Sequence, residues 1–426
     1  MVLTGFFDNI MVAKIGHEEL AAAGICNSIF FLISIFPMGV SMAYTTIIGL
    51  LVGKNRINST HLLVRDSLYI TIILSILCSL IIYYSIFHFD FFRQSIEVTQ
   101  LSLPYLTLLM WSLTPMLLFF LAKNVCDGFS FTRGGMIITL TALVLNVFLN
   151  WVLIYGNLGF DAYGLNGAGY ATIISRIFMA ITMIALLFYS KQVPIHFKIL
   201  KLVLSTKKHF RFFKQIWKLG FPTGLQYFFE IAAFAFAAIM AGWFGSKPLA
   251  AHQLAITLAS LTYMFAGGIA AGSNICVAKA MGNRNNTNAL NYGKAGHTLG
   301  FISMGIFAIA FFVFDYELAG MFSDDSEVIK MGASLLVLGA IFQLGDGLQA
   351  VSLGLLRGIE DVNKPSIVTF IAYWIFAIPV GYYLSHHSAT TSFFYGVNGI
   401  WVGLAIGLTL SAIVLTYRFY ALIRTK

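Results

Sequence analysis

The sequence predicts an all-α integral membrane protein whose twelve transmembrane helices form two parallel six-helix lobes. Three observations lead there: an apolar composition, apolar runs of bilayer length, and a second half that repeats the first. Of 426 residues, 59% are hydrophobic and only 10% charged, with a mean hydropathy of +0.85. Soluble domains carry about 25% charged residues, so a chain this poor in charge cannot clothe itself for water. Runs of about 20 apolar residues suit a bilayer, where each helix must satisfy its own backbone polar groups. The net charge of +9 does not mark a nucleic-acid partner, because the basic residues sit in short connections between apolar runs. The expected surrounding is the lipid bilayer. Cys26, Cys78, Cys126 and Cys276 lie in or beside apolar runs without CxxC spacing, and read as small core hydrophobes.

Hydropathy places helices at 1–13, 20–52, 67–87, 100–122, 136–156, 167–189, 219–244, 249–280, 297–314, 329–354, 366–385 and 398–420. The second and eighth exceed a perpendicular span, so they are expected to tilt or to extend past the membrane surface. Twelve crossings leave both termini on one side. The sixth connection, 191–218, carries eight Lys/Arg and no acid. Connections on its side add Lys54, Arg56, Arg65, Lys123, Arg133, Arg284, Lys294, Arg357 and Lys364. The opposite connections are acidic, with Glu18, Glu19, Asp90, Glu97, Asp161, Asp315, Glu317, Asp324, Asp325 and Glu327. By the Lys/Arg bias, both termini and the basic connection are cytoplasmic. That connection is the natural linker between an N-terminal lobe, 1–190, and a C-terminal lobe, 219–426.

The halves repeat each other. Shifting residues 10–53 by 229 positions aligns ten identities without a gap, including Gly16/Gly245, Gly39/Gly268 and Gly53/Gly282. Further on, Tyr163-Gly164-Leu165-Asn166-Gly167 recurs as Tyr395-Gly396-Val397-Asn398-Gly399, a shift of 232. Two halves of six helices share an orientation, so the repeat is parallel about the membrane normal. Such a repeat predicts a substrate cavity between lobes and alternating access. Lys218-Leu219-Gly220-Phe221-Pro222 opens the seventh helix, and its first-half counterpart falls before Met1. The first helix is therefore expected to be short by roughly ten residues, from a truncated start or a misassigned initiator. It lacks a basic n-region and carries Asp8 centrally, so it does not read as a signal peptide.

Ionisable residues inside spans are costly and are functional candidates by default. Asp8, Glu230 and Asp346 qualify. Gln226 precedes Glu230 by four residues, while Gln343 and Gln349 flank Asp346 at three, each on the acid's own helical face. Asn146 and Asn150, one turn apart on the fifth helix, are placed to share a pocket with Asp8. A carboxylate in a partly dry cavity can exchange a proton near neutral pH, or hold Na⁺ together with amide and carbonyl oxygens. Glu230 and Asp346 are the Na⁺ candidates. The bland reading is an interhelical hydrogen-bond clamp, which weighs more heavily on Asn146, Asn150, Gln253 and Thr257. Arg176, near the middle of the sixth helix, reads as a structural residue that pairs with a first-half carboxylate or snorkels. His252 and His297, at or near predicted helix ends, read as interfacial.

No P-loop, HExxH or GxSxG signature is present in the sequence, nor a soluble domain able to carry ATP hydrolysis. The chain does not read as an enzyme, and no cofactor is expected beyond Na⁺ or H⁺ as a coupling ion.

Phe7-Asp8-Asn9-Ile10-Met11-Val12 with Gly16 and Leu20-Ala21-Ala22 resembles the first-helix pattern of multidrug and toxic compound extrusion (MATE) transporters, in their NorM-like branch. Gly220-Phe221-Pro222 with Glu230, Ala250-Ala251-His252-Gln253, and Gly354-Leu355-Leu356-Arg357-Gly358 after Asp346 continue the resemblance over nearly the whole chain. It implies export of organic cations and hydrophobic drugs in exchange for Na⁺ or H⁺, by a monomer in the bacterial inner membrane. Asp8, Asn146 and Asn150 match the family's first-lobe cation site, and Glu230 and Asp346 its second-lobe carboxylates, with Gln253 nearby. Phe342 stands where some members carry a tyrosine one turn before the aspartate. The alternatives are a lipid-linked oligosaccharide flippase of the same superfamily, whose cavity should be rich in Arg and Lys, and a channel.

Overall fold

The computed structural model describes residues 2–92, 94–190, 192–193, 211–389 and 392–425. Twelve principal helices follow in order: α1 (Val2–Ala13), α2 (His17–Gly53), α3 (Thr60–Phe87), α4 (Ile96–Gly128), α5 (Arg133–Tyr155), α6 (Gly164–Tyr189), α7 (Phe213–Gly242), α8 (Ser246–Gly282), α9 (Asn286–Val313), α10 (Ser326–Gly358), α11 (Asn363–His387) and α12 (Val397–Thr425). Eleven of them, α2 to α12, are long and apolar enough to cross a membrane. The remaining one, α1, has 12 residues, or about 18 Å at 1.5 Å per residue. No strand occurs among the described residues.

Every helix expected from hydropathy is present, and most extend beyond their expected ends. The widest gap is at α9, which begins at Asn286 rather than 297. Hydropathy registers only the segment that suits lipid, whereas Asn286–Gly296 is polar and still helical, with Asn285 capping it by accepting the Asn288 N–H. The extension moves His297 into the helix, where Nδ1 meets the Tyr420 hydroxyl at 3.1 Å and Nε2 meets Ser352 Oγ at 2.9 Å. His252 is likewise interior rather than interfacial: it is buried and accepts the Trp401 indole N–H at 3.1 Å. His252→Leu should therefore strand a buried donor and cost about 1–3 kcal/mol, measured as a lower thermal midpoint of the purified protein.

The chain divides into two compact units, Met1–Leu51 with Asn55–Gly224 and Val52–Lys54 with Leu225–Lys426. The division runs through α7, after Gly224. Residues 191 and 194–210 of the expected linker 191–218 lie outside the described residues. At the linker's far end, the Phe212 N–H is accepted by Asp66 of α3 at 2.8 Å, within the first unit.

The internal repeat is visible in the elements themselves. α2 and α8 have 37 residues each, α3 and α9 have 28, and α4 and α10 have 33. Left-handed backbone positions recur as well: Asn55 with Arg284, Ser130 with Glu360, and Gly164 with Gly396. These pairs lie 229, 230 and 232 positions apart, so each unit turns its corners at equivalent points. The recurring Tyr-Gly-x-Asn-Gly motif gains a physical account here. Its first glycine takes φ of +53° and +67° in the two copies. Its second, Gly167 or Gly399, meets backbone so closely that a Cβ would collide with the Leu153 carbonyl or, at 2.6 Å, with Ser385 N.

Lipid tails are as apolar as leucine, so close packing and interhelical hydrogen bonds hold such units together rather than hydrophobic burial alone. In the first unit, Asn124 of α4 donates to Ser41 of α2 at 2.8 Å, and Thr45 returns a bond to the Asn124 carbonyl at 3.0 Å. In the second, Phe342, Tyr373 and Trp401 sit in one buried cluster with Leu336 and Leu408. Lys247, opening α8, pairs with Asp325 at 3.2 Å and Glu327 at 2.7 Å at the start of α10.

Candidate functional site

Each unit holds a buried polar cluster around an acid at membrane depth. In the first unit, α1 lies against α5 and brings Asp8 to the asparagines. Asn150 donates from Nδ2 to Asp8 Oδ1 at 2.5 Å and to Asn146 Oδ1 at 3.3 Å. Both asparagines are fully buried and Asp8 nearly so. Asn146 Nδ2 and Asn150 Oδ1 have no hydrogen-bond partner. The Tyr155 hydroxyl, donating to the Met11 carbonyl at 2.8 Å, fixes the end of α1 on α5. Arg176 on α6 does not form an ion pair with Asp8. Its Nη1 donates to Ser112 of α4 at 2.5 Å, and its guanidinium lies over the Phe30 ring at 4.6 Å.

In the second unit, Glu230 of α7 accepts at Oε1 from Gln349 Nε2 of α10 at 3.1 Å and from the Tyr373 hydroxyl of α11 at 3.2 Å. Gln349 Nε2 also reaches Tyr373 Oη at 2.9 Å. Three helices thus converge on one carboxylate oxygen. Asp346, one turn before Gln349 on α10, is buried and close enough to Glu230 for the two charges to interact. Gln226 is buried one turn before Glu230. Glu230 Oε2 and Gln349 Oε1 are buried without a hydrogen-bond partner, as is the donor Nε2 of Gln226, which lies close enough to Glu230 to act on its charge. A hard cation coordinates carboxylate oxygens, so the pairing of Glu230 with Asp346 suits Na⁺, and a proton on Glu230 would serve the same orphaned oxygen. Among the described residues, no group of three or more His, Cys, Asp or Glu is placed to hold a metal ion. A cation here would therefore rely on the two carboxylates and on neutral oxygens.

Several expected neighbours point elsewhere. Gln343 donates to Thr262 Oγ1 of α8 at 2.5 Å, so its amide is engaged away from Asp346. Phe342 packs against Trp401, with ring centroids 5.5 Å apart, inside the aromatic core. Gln253 is exposed, and its backbone carbonyl accepts from Thr257 Oγ1 at 2.6 Å.

Tyr373 is the residue that sequence reasoning missed. It lies in a π-helical segment, Ile371–Ala377, just before Pro379. Pro379 has no N–H to offer the carbonyl one turn back, and a wider turn accommodates the missing bond. The proline in an apolar run was the available signal. Tyr373→Phe removes one of the two donors to Glu230. It should cost about 1.5–3 kcal/mol, the scale of hydrogen bonds to charged groups, read as a lower thermal midpoint with the fold retained.

A family model described as MatE matches residues 1–152 and 222–383. The multidrug resistance protein NorM of Aliivibrio fischeri is 32% identical over 414 residues, covering 97% of this chain and 89% of that protein. The probable multidrug resistance protein NorM of Mannheimia succiniciproducens is 30% identical over 418 residues, with 98% and 89% covered. A MATE crystallised in the bent conformation superposes with a TM-score of 0.88 at 20% identity, over 100% of this chain and 92% of that one. With the family match running over most of the sequence and NorM proteins aligned along nearly all of it, the chain belongs to the MatE family and carries the fold of its transporters.

Proposed function

We propose that the chain is a secondary active multidrug efflux transporter, exchanging organic cations and hydrophobic drugs for Na⁺ or H⁺ by alternating access. The observation that carries this reading is the Glu230 cluster. One carboxylate oxygen is fixed by Gln349 and Tyr373 while the other is buried and unpartnered, beside a second acid, Asp346. Such an arrangement is stable only if an ion or proton visits it, because a buried unpaired charge is costly. The NorM names of the relatives support the drug-export half of the reading. Glu230 and Asp346 hold the coupling ion, and Gln349, Tyr373 and Gln226 orient them. Asp8, Asn146 and Asn150 form a second cation-accepting group in the first unit.

In the outward-facing state the carboxylates load Na⁺ or H⁺, and loading weakens the hold on drug. In the inward-facing state the ion leaves and drug binds. Coupling requires drug and ion to differ in affinity between the two states; 1–3 kcal/mol corresponds to roughly 5- to 150-fold. The protein acts as a monomer in the bacterial inner membrane with both termini cytoplasmic, and its lobes 1–190 and 219–426 are joined by 191–218. The test is efflux of a fluorescent organic cation from proteoliposomes under separately imposed Na⁺ and H⁺ gradients. Efflux that follows one gradient names the ion. Efflux driven by neither, in protein shown to be folded, contradicts the antiporter reading.

A further inference from the structure

His297 is a buried titratable residue that the exchange mechanism leaves unused. Its neighbour along α9, Gly300, lets that helix lie on α10: a Cβ there would stand 2.9 Å from Val351 Cγ2. The imidazole is thereby held between α10 and α12 with both nitrogens engaged, Nε2 with Ser352 Oγ at 2.9 Å and Nδ1 with the Tyr420 hydroxyl at 3.1 Å. Ser352 Oγ in turn meets Thr416 Oγ1 of α12 at 2.8 Å. The titratable group facing the ring is Tyr420; α12 also presents the Phe419 ring, at 6.3 Å between centroids, and α9 the Gly293 carbonyl. Membrane helices can be clamped by one hydrogen-bonded pair of neutral side chains, so a clamp alone does not call for imidazole. What distinguishes this node is that Ser352, Thr416 and Tyr420 are all hydroxyls. A hydroxyl donates or accepts according to its rotation, and the ring does so according to its tautomer. Each of these bonds can run in either direction without displacing a heavy atom.

The node reaches the surface at one end and the interior at the other. Tyr420 is half-buried, one turn before Arg424 near the end of α12, whereas Ser352 is fully buried. Ser352 follows Gln349 by three residues on α10, a spacing that sets Cβ atoms about 5–6 Å apart. Gln349 Nε2 donates to Glu230 at 3.1 Å, and its Oε1 is a buried acceptor without a partner. A water bonded to that oxygen would span the turn to Ser352.

We propose that His297 carries protons between the Glu230 cluster and the cytoplasmic face, through Ser352 on the inner side and Tyr420 on the outer. The inference rests on the export reading and names the proton as the ion this path serves. A proton leaving Glu230 passes by the bridging water to Ser352 Oγ, which gives its own hydroxyl proton to Nε2. The imidazolium releases its Nδ1 proton to Tyr420 Oη, whose hydroxyl proton goes to cytoplasmic water. The ring is restored when Nδ1 regains a proton through Tyr420 and Nε2 sheds one through Ser352 to Thr416, which is also half-buried. One proton has then crossed for each one that left Glu230.

The test uses the full chain in proteoliposomes loaded with a pH-sensitive dye, with a fluorescent organic cation as drug and H⁺ and Na⁺ gradients imposed separately. Proton flux and drug efflux are followed together for wild type, His297→Gln and Ser352→Ala. A glutamine keeps a donor and an acceptor at the node but takes up no proton. Both variants should slow proton-driven flux and efflux by about 100-fold, the low end of what a positioned proton-transfer group contributes, with drug affinity by fluorescence anisotropy unchanged. Proton flux at the wild-type rate in His297→Gln overturns the proposal, as does a fall matched by lost drug binding, the mark of a structural clamp. Na⁺-driven efflux without proton flux in wild type overturns the proton path and leaves export standing. Efflux that neither gradient drives removes the export reading and this path with it.

Discussion

Glu230→Gln is expected to abolish gradient-driven export while leaving the protein inserted and folded. The substituted amide keeps a carbonyl oxygen for the bonds from Gln349 and Tyr373, and a neutral side chain is easier to hold in a membrane than a charged one. What disappears is the charge and the unpartnered Oε2, the atom that would take a proton or a cation. Interactions with a charged group reach about 3 kcal/mol, so ion affinity should fall by about 100-fold. Asp346→Asn should behave alike, since Asp346 and Glu230 act on each other's charge within one cluster. Efflux rates from proteoliposomes, beside unchanged size-exclusion profiles, check both. Full export in both variants would remove these residues from the coupling.

Gly403→Val is expected to produce the largest structural effect. At Gly403 of α12, a Cβ would stand 2.5 Å from the Gly381 backbone of α11, and closer still to the Ala377 carbonyl. Four residues on, a Cβ at Gly407 would meet Ala377 Cβ at 2.6 Å and the Ala372 carbonyl at 2.7 Å. Two glycines one turn apart therefore let α12 lie directly on the π-helical stretch that carries Tyr373. A valine must push the helices apart at a cost of about 3 kcal/mol, and the displacement draws Tyr373 away from Glu230. Thermal unfolding followed by size exclusion should show a marked fall, with Gly403→Ala smaller and of the same sign. An unchanged midpoint would contradict the packing described.

Much of this architecture was legible because a bilayer constrains sequences so strongly. Helix centres follow from apolar runs, and the repeat follows from glycines that sit at equivalent corners, such as Gly53/Gly282 and Gly164/Gly396. Helix ends were not legible where polar turns continue past the membrane, as in Asn286–Gly296. That shortfall misplaced His297, which proves to be a buried node between α9, α10 and α12. Acids stood out because their charge is anomalous among apolar neighbours. Tyr373 did not, since it is one of 19 tyrosines and a tyrosine in a membrane helix needs no special explanation. Gln343 and Gln349 flank Asp346 symmetrically in sequence, yet one turns to Thr262 and the other to Glu230. Helical spacing places a residue on a face, but only the neighbouring helices decide what that face meets.

The most direct measurement is competition between ion and drug on the purified protein. Binding of a lipophilic organic cation is titrated with and without Na⁺, and across pH, in wild type and in the Glu230→Gln, Asp346→Asn double variant. Antiport through these carboxylates predicts that Na⁺ or H⁺ weakens drug binding at least about fivefold in wild type and leaves it unchanged in the variant. Drug affinity that ignores both ions in wild type, or responds to them equally in the double variant, would contradict it.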